Sequence, residues 1–177
     1  SMISQFMHSP KKRHLEAVYK VLRYLKSTTG KRLLFKKGHI KMVEIYTDAG
    51  SIMDRKSTLG YCTYVWDNLK TWRSKKQNVV AKSSAEAEFR ALAHGVCKGI
   101  WLRRLLEELK ISYSIPIRLY CDNKAAVSIA QNSVRHDRTK HIEVDRHFIK
   151  EKLDNRSMCM TYFPTKEQTA DILTKSL

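Results

Sequence analysis

The stretch Ile45-Tyr46-Thr47-Asp48-Ala49-Gly50-Ser51 decides how this chain folds. Val43, Ile45 and Tyr46 form an apolar run of strand-forming residues. The run ends on a bare carboxylate, Asp48, with Gly50 and Ser51 close behind. A strand end that aims an acid at solvent adds nothing to packing. It suits a metal ion if other acids converge on the same place.

Working outward, Gly60–Trp66 (GYCTYVW) reads as a second strand and residues 70–77 (KTWRSKKQ) as a third. Short turns link the three, which predicts antiparallel pairing. A long helix is expected from Ala85 to Lys110, with Phe89, Leu92, Val96, Ile100 and Leu105 or Leu106 as its apolar stripe. Ile117–Asn123 (IRLYCDN) is a fourth strand that again ends on an acid, Asp122. A short helix over Lys124–Gln131, a further helix over Ile142–Leu153 and a fifth strand, Met158–Phe163, follow. A last helix is expected from Lys166 or Glu167 onward.

Ahead of the first strand, Ser9-Pro10 has the pattern of a helix start, and Gly30 that of a stop. Leu15, Val18, Leu22 and Leu25 recur between them at helical spacing. Lys11, Lys12, Lys20, Arg23 and Lys26 clothe the other faces. The order helix, βββ, α, β, α, α, β, α predicts an α/β fold: a five-stranded mixed sheet flanked by helices, with an extra basic N-terminal helix. The expected division is a basic helix and connector, 1–40, and a second domain, 41–177.

Four acids stand out in this frame: Asp48, Glu88 in the first turns of the long helix, Asp122, and Asp171 in the last helix. If the first and fourth strands are neighbours, Asp48 and Asp122 lie side by side. Converging carboxylates raise one another's pKa unless a cation neutralises them. Hard oxygen donors suit Mg²⁺ or Mn²⁺, and two such ions clamp the oxygens of a phosphodiester displacement. Glu86 has a different role. With Ser83 it has the spacing of a capping box, and it lies about 200° around the helix from Glu88. Taken singly, Asp122 could also cap the helix at Lys124. Ser84 and Asn123 flank the acids and are candidate donors to a bound duplex.

Bulk composition supports a polyanionic partner. The 177 residues carry 34 Lys or Arg against 17 acids, a net charge of +17. Residues 1–44 hold eleven basic residues and two acids, +9 of that total. Such a balance on a folded domain points to nucleic acid. Cys62, Cys97, Cys121 and Cys159 lack CxxC spacing, which argues against a zinc knuckle or disulfide framework and fits a reducing compartment, cytoplasmic or nuclear. No stretch has the apolar length of a membrane span, and the N-terminus lacks a signal-peptide pattern. In residues 135–148, His136, His141 and His147 lack spacing that would stack metal ligands on one face. Arg135, Arg138, Lys140 and Arg146 there could touch phosphate. Trp66 and Trp72 could stack on sugars or bases, although aromatics on strands more often pack in the core.

The runs YTDAGS, DRKSTLGYC, TWRSKKQNVVAKSSAEAEFRAL, IWLRRLLEEL, IRLYCDNKAA, RTKHIEVDRHFI and YFPTKEQTADILTK resemble the ribonuclease H domain of Ty1/copia-type retrotransposons. The similarity covers residues 45–177, and residues 3–36 resemble the segment joining such a domain to a reverse transcriptase. With no polymerase motif, the chain reads as a stand-alone copy, an expressed fragment or one taken over by a plant-type host. The resemblance implies a ribonuclease H-like fold and two-metal hydrolysis, with Asp48, Glu88, Asp122 and Asp171 as the four acids. It implies cleavage of RNA within an RNA/DNA hybrid, and a recruited copy could extend to double-stranded RNA such as viral RNA. The chain departs from the family in two places. It has DAG where relatives often read DADWAG, which shortens the first hairpin. Pro164-Thr165-Lys166 also carries no histidine where many ribonucleases H have one. The alternative reading is a nucleic-acid-binding relic with weak or no catalysis. A DNA-cutting nuclease of the same fold class is a further rival.

Overall fold

The structure, a computed structural model, describes residues 7–31, 33–38, 41–50, 56–131 and 140–175. The chain divides after Phe35 into two compact units. The smaller one contains α1 (Lys12–Thr28). This helix begins two residues later than Ser9-Pro10 suggests. Its start is fastened by His14 Nδ1, which accepts the Lys11 N–H at 3.0 Å. Leu15, Leu22 and Leu25, expected to be a packing stripe, are exposed, and no residue of α1 is buried.

The larger unit contains β1 (Val43–Gly50), β2 (Thr58–Val65), β3 (Asn68–Lys76), α2 (Ser84–Glu108), β4 (Ile117–Cys121), α3 (Lys124–Gln131), α4 (Lys140–Asp154) and β5 (Met158–Tyr162). The sheet order is β3-β2-β1-β4-β5. β1 pairs antiparallel with β2 and parallel with β4, and β4 pairs parallel with β5. This is the expected five-stranded mixed sheet. Asp48 does not end β1 as anticipated, because the strand continues to Gly50 and pairs with β2 throughout. Residues 51–55, where the family resemblance suggests a shortened hairpin, lie outside the described residues.

The β2–β3 turn is a two-residue loop with φ 54° at Trp66 and 63° at Asp67. Positive φ at both central residues is what a tight hairpin of this twist demands. It is costly at a bulky residue such as Trp, and Asn68 compensates by donating its side-chain amide to Trp66 O at 2.7 Å and Lys36 O at 2.8 Å. Trp66 packs against the core, whereas Trp72 is 58% exposed and is not the core residue anticipated for a strand aromatic.

α2 lies on one face of the sheet. Val43, Ile45 and Thr47 of β1 meet it, together with Leu119 and Cys121 of β4 and Phe89, Leu92 and Val96 of the helix, all buried. Two glycines allow the close approach. A Cβ at Gly95 would stand 2.6 Å from Thr47 Cγ2, and one at Gly99 would stand 2.7 Å from Met158 Cε. α2 ends in a Schellman arrangement, with Ile111 N–H on Leu106 O and Lys110 N–H on Glu107 O, both 2.9 Å. On the other face, Tyr46 stacks on Tyr120 with ring centroids 4.7 Å apart, and Tyr64 and Phe163 meet it edge-on. Among the described residues no helix is long and apolar enough to cross a membrane.

The expected last α-helix is absent from the described residues. Two 3-10 turns, Thr165–Glu167 and Asp171–Leu173, stand in its place. With Pro164 before it and only a short apolar set, this segment draws its order from docking on the sheet rather than from its own ladder. The dock is steric as well as hydrogen-bonded. A Cβ at Gly60, the residue paired with Asp48, would stand 2.6 Å from Thr174 Cγ2 and 3.0 Å from Leu173 Cβ. Ser74 Oγ donates to Leu173 O at 2.6 Å, and Gln168 Nε2 donates to Thr47 O at 3.1 Å. Gly60→Ala should therefore push residues 170–174 off the sheet, at a stability cost of about 1–3 kcal/mol for overpacking. Peptide-resolved hydrogen exchange should report lost protection over 165–174 ahead of the strands.

Candidate metal and acid cluster

Parallel pairing of β1 with β4 sets Thr47 beside Cys121, so the next residues, Asp48 and Asp122, emerge side by side. Glu88 reaches the same place from the second turn of α2. Its Oε1 accepts the Ala49 N–H at 3.0 Å, which ties the helix acid to the strand directly behind Asp48. Ligand atoms of Glu88, Cys121 and Asp122 all lie within 4.8 Å of one another. Asp171 comes in on the docked C-terminal turn. Thr174 makes the join: its hydroxyl donates to Asp48 Oδ2 and lies 3.0 Å from Asp171 O. Lys175 Nζ pairs with Asp171 Oδ2 at 2.5 Å.

The electrostatics are those of acids crowded together. Asp48 and Glu88 are 5% and 6% exposed. Burial pushes the Glu88 carboxyl up to about 8, with the charges of Asp48 and Asp122 adding to it and the Ala49 N–H opposing. Asp48 is raised for the same reason, first by burial and then by Asp122 and Asp171, against the Thr174 hydroxyl and Lys175. Cys121 is fully buried, and its thiol is pushed far up by burial. A thiol so protonated is a weak ligand, which leaves the carboxylates as the donors. Carboxylate oxygens converging in this way, with Asp48 and Glu88 both held up by burial, fit a hard divalent cation.

Glu86 is occupied elsewhere. Ser83 Oγ accepts the Glu86 N–H at 3.1 Å, as the capping-box spacing predicts. The return bond differs from the expected one: Glu86 Oε2 takes the N–H of Lys82, one residue before the cap, at 2.8 Å, and Oε1 takes Arg90 at 2.7 Å. Glu86→Ala should cost roughly 0.5–2 kcal/mol in denaturant melts, as lost caps do, with site chemistry intact. Asp122 is not a cap, because Asn123 Oδ1 takes the Ala126 N–H at 3.0 Å and starts α3.

Ser84 is exposed on the first turn of α2, next to the cluster's helix acid. Lys11, Lys12, Lys20, Arg23 and Lys26 are exposed on or beside α1, in the smaller unit. Arg135, His136 and Arg138 lie outside the described residues. Lys140 and His141 fall within α4, but their side chains are outside what is described. Three contributors were not singled out from sequence: Thr174, Gln168 and Cys121. The signal for Cys121 was its place in YCDN, directly before Asp122 and opposite Thr47. Nothing local marks Thr174, whose role exists only once the turn docks.

The chain matches no protein-family model. It is 40% identical over 178 residues to the retrovirus-related Pol polyprotein from transposon RE1 of Arabidopsis thaliana, covering 99% of this chain and 12% of that protein. It is 41% identical over 177 residues to the corresponding polyprotein from transposon TNT 1-94 of Nicotiana tabacum, covering 98% of this chain and 13% of that one. The chain thus spans about an eighth of the length of these relatives. Among solved structures, it resembles the N-terminal RNase H domain of rv2228c from Mycobacterium tuberculosis, with a TM-score of 0.55 at 16% identity over 76% of this chain and 91% of that one. LC11-RNase H1, solved in complex with an RNA/DNA hybrid, gives a TM-score of 0.53 at 15% identity over 75% and 93%. The chain is homologous to one segment of retrotransposon Pol polyproteins, and its larger unit has the ribonuclease H-like fold.

Proposed function

We propose that residues 41–177 act as a metal-dependent endoribonuclease that hydrolyses RNA within a duplex, leaving 5′-phosphate and 3′-hydroxyl ends. The substrate is an RNA/DNA hybrid first, with double-stranded RNA, viral RNA included, as a second. The observation that carries this reading is the meeting of Asp48, Glu88, Asp122 and Asp171 around one corner of the sheet. These four would hold two Mg²⁺ or Mn²⁺ ions. When bound, such ions supply an activated water and charge relief at the leaving oxygen.

The chain's own residues do the positioning. Thr174 orients Asp48, and the Ala49 N–H orients Glu88. Glu88 must give up its proton before it can serve as a ligand. Asn123 commits Oδ1 to its helix, so its NH₂ is the group with donors to offer a 2′-hydroxyl, as is the exposed Ser84 hydroxyl. Recognition by backbone shape and 2′-hydroxyls rather than base edges is what an A-like duplex permits. Residues 1–40, a separate basic segment in this reading, hold the duplex through Lys11, Lys12, Lys20, Arg23 and Lys26. Arg138 and Lys140 add to the grip. The four cysteines are unbridged, Cys62 and Cys121 among them buried, which supports a cytoplasmic or nuclear setting.

The deciding experiment offers labelled RNA/DNA hybrid, double-stranded RNA and double-stranded DNA of one sequence with Mg²⁺ or Mn²⁺. Internal cuts confined to RNA strands are expected. No cleavage of any duplex with either ion would overturn the proposal and leave a nucleic-acid-binding relic. Cutting of the all-DNA duplex would move the chain to the DNA nucleases. A companion measurement tests the basic helix. Neutralising its five cations should make log affinity fall less steeply with log salt, by roughly 0.9 per lost phosphate contact. Turnover at saturating duplex should stay unchanged.

A further inference from the structure

The α2-facing side of β3 carries chemistry that the acid cluster does not use. A groove of about 430 Å³ runs there, with Arg73 and Lys75 of β3 on one bank and Arg90 and His94 of α2 on the other. Leu59 and Ala93 also line it, and Asp145 of α4 supplies its carboxylate. Arg90 is engaged by Glu86, whereas Arg73 and Lys75 are exposed on their strand. Gln77 Nε2, also in this lining, is buried with no hydrogen-bond partner among the described residues. An orphaned amide donor beside a concentration of cations calls for an acceptor-rich anion. The positive field is also felt by His94, whose pKa is lowered by burial and then by Arg73, with Asp145 opposing.

We infer that this groove holds the sugar–phosphate backbone of the bound nucleic acid at a point away from the bond being cut. The inference rests on the nuclease reading and extends its binding surface to a site outside the acids. Arg73 and Lys75 are two positions apart on one strand, so their Cα atoms are about 6.5–7 Å apart. That spacing is close to the distance between successive phosphates of a nucleic-acid strand. The Arg73 guanidinium fork suits a phosphate's paired oxygens, and the Gln77 NH₂ adds a neutral donor in the same lining. Arg90 follows Glu88 by two residues on α2 and lies about 200° around the helix from it, so the groove shares the helix that carries the acid and opens on a different face.

The test is the double variant Arg73→Ala/Lys75→Ala in the full chain, with Arg104→Ala/Lys150→Ala, on α2 and α4, as a control that removes the same two charges. Both altered groove positions are exposed, so the melting temperature should hold. Binding to a labelled RNA/DNA hybrid is measured without divalent metal across a salt series, and kcat with Mg²⁺ at saturating hybrid. The expected result is an affinity loss of about 10-fold or more and a salt slope shallower by roughly 1.8, two contacts at about 0.9 each. The control slope and kcat should be unchanged. Wild-type affinity and slope in the double variant would overturn the proposal, as would a wild-type chain that binds no nucleic acid. A loss seen toward polyglutamate but not toward the hybrid would assign the groove to an acidic protein and also overturn it. A hybrid that is bound through the groove but never cut would support the groove while refuting the nuclease reading.

Discussion

Asp48→Asn should abolish cleavage while leaving duplex binding as strong as before or stronger, and Asp122→Asn should do the same. Each change keeps the shape of the side chain and removes one charge from the corner where β1 and β4 run parallel. Losing an outer hydrogen-bond partner of a metal ligand costs about 10–100-fold, so losing a ligand charge should exceed that, with rate falling by more than about 10³-fold. Binding should survive because the cationic surfaces are untouched and one repulsive carboxylate near the phosphates is gone. The check is a pair of measurements on one preparation: single-turnover cleavage of a hybrid and equilibrium binding of the same hybrid. A mutant that keeps near wild-type rate would remove the acid cluster from the chemistry.

Glu88→Gln should separate catalysis from stability. Rate should fall by orders of magnitude, yet the metal-free protein should become more stable, not less. The sign follows from the raised pKa. Burial holds the Glu88 carboxyl up at about 8 in the fold against 4.5 for an ordinary glutamate, so between these values the folded state holds a proton that the unfolded state has lost. Stability of the wild type therefore falls as pH rises through that window. Glutamine has no such dependence, so its advantage should grow from pH 4.5 to pH 8 and then level off. With an advantage on the order of 1–3 kcal/mol, the melting temperature should differ by about 2–4 °C per kcal/mol. Thermal melts at pH 5 and pH 8 without metal read this directly. Adding Mg²⁺ should raise the wild-type melting temperature more than that of the variant. A variant less stable than wild type at pH 8 would mean that the Ala49 N–H bond outweighs the buried charge.

Much of the fold was legible in the sequence because its signals are local. The apolar runs before Asp48 and Asp122, the stripe of Phe89, Leu92 and Val96, and the hairpin spacing each depend on neighbours a few residues away. Glu86 and Glu88 could be told apart because two residues along a helix turn the side chain to a different face. The last helix was misread for the complementary reason. Residues 165–174 have no strong period of their own, and their order comes from Gly60, Ser74 and Thr47, about a hundred residues earlier. The helix start at Ser9-Pro10 was displaced because His14 makes a better fastening from its own third position. The stripe on α1 announced an amphipathic helix but not whether anything covers it.

The C-terminal turn is held by a handful of side-chain bonds and by the absence of a Cβ at Gly50 and at Gly60, and among the described residues no backbone ladder joins it to the sheet. Its undocking is therefore a sub-global event, with a free energy of its own below that of opening the strands. In such an opened state the corner keeps Asp48, Glu88 and Asp122 but lacks Asp171, and Asp48 loses the Thr174 hydroxyl. The cationic surfaces are unaffected. Under the proposed nuclease function, a chain caught in that state would grip nucleic acid at full strength and cut it slowly. Occupancy of the duplex and its turnover would then answer to two different equilibria within one small protein.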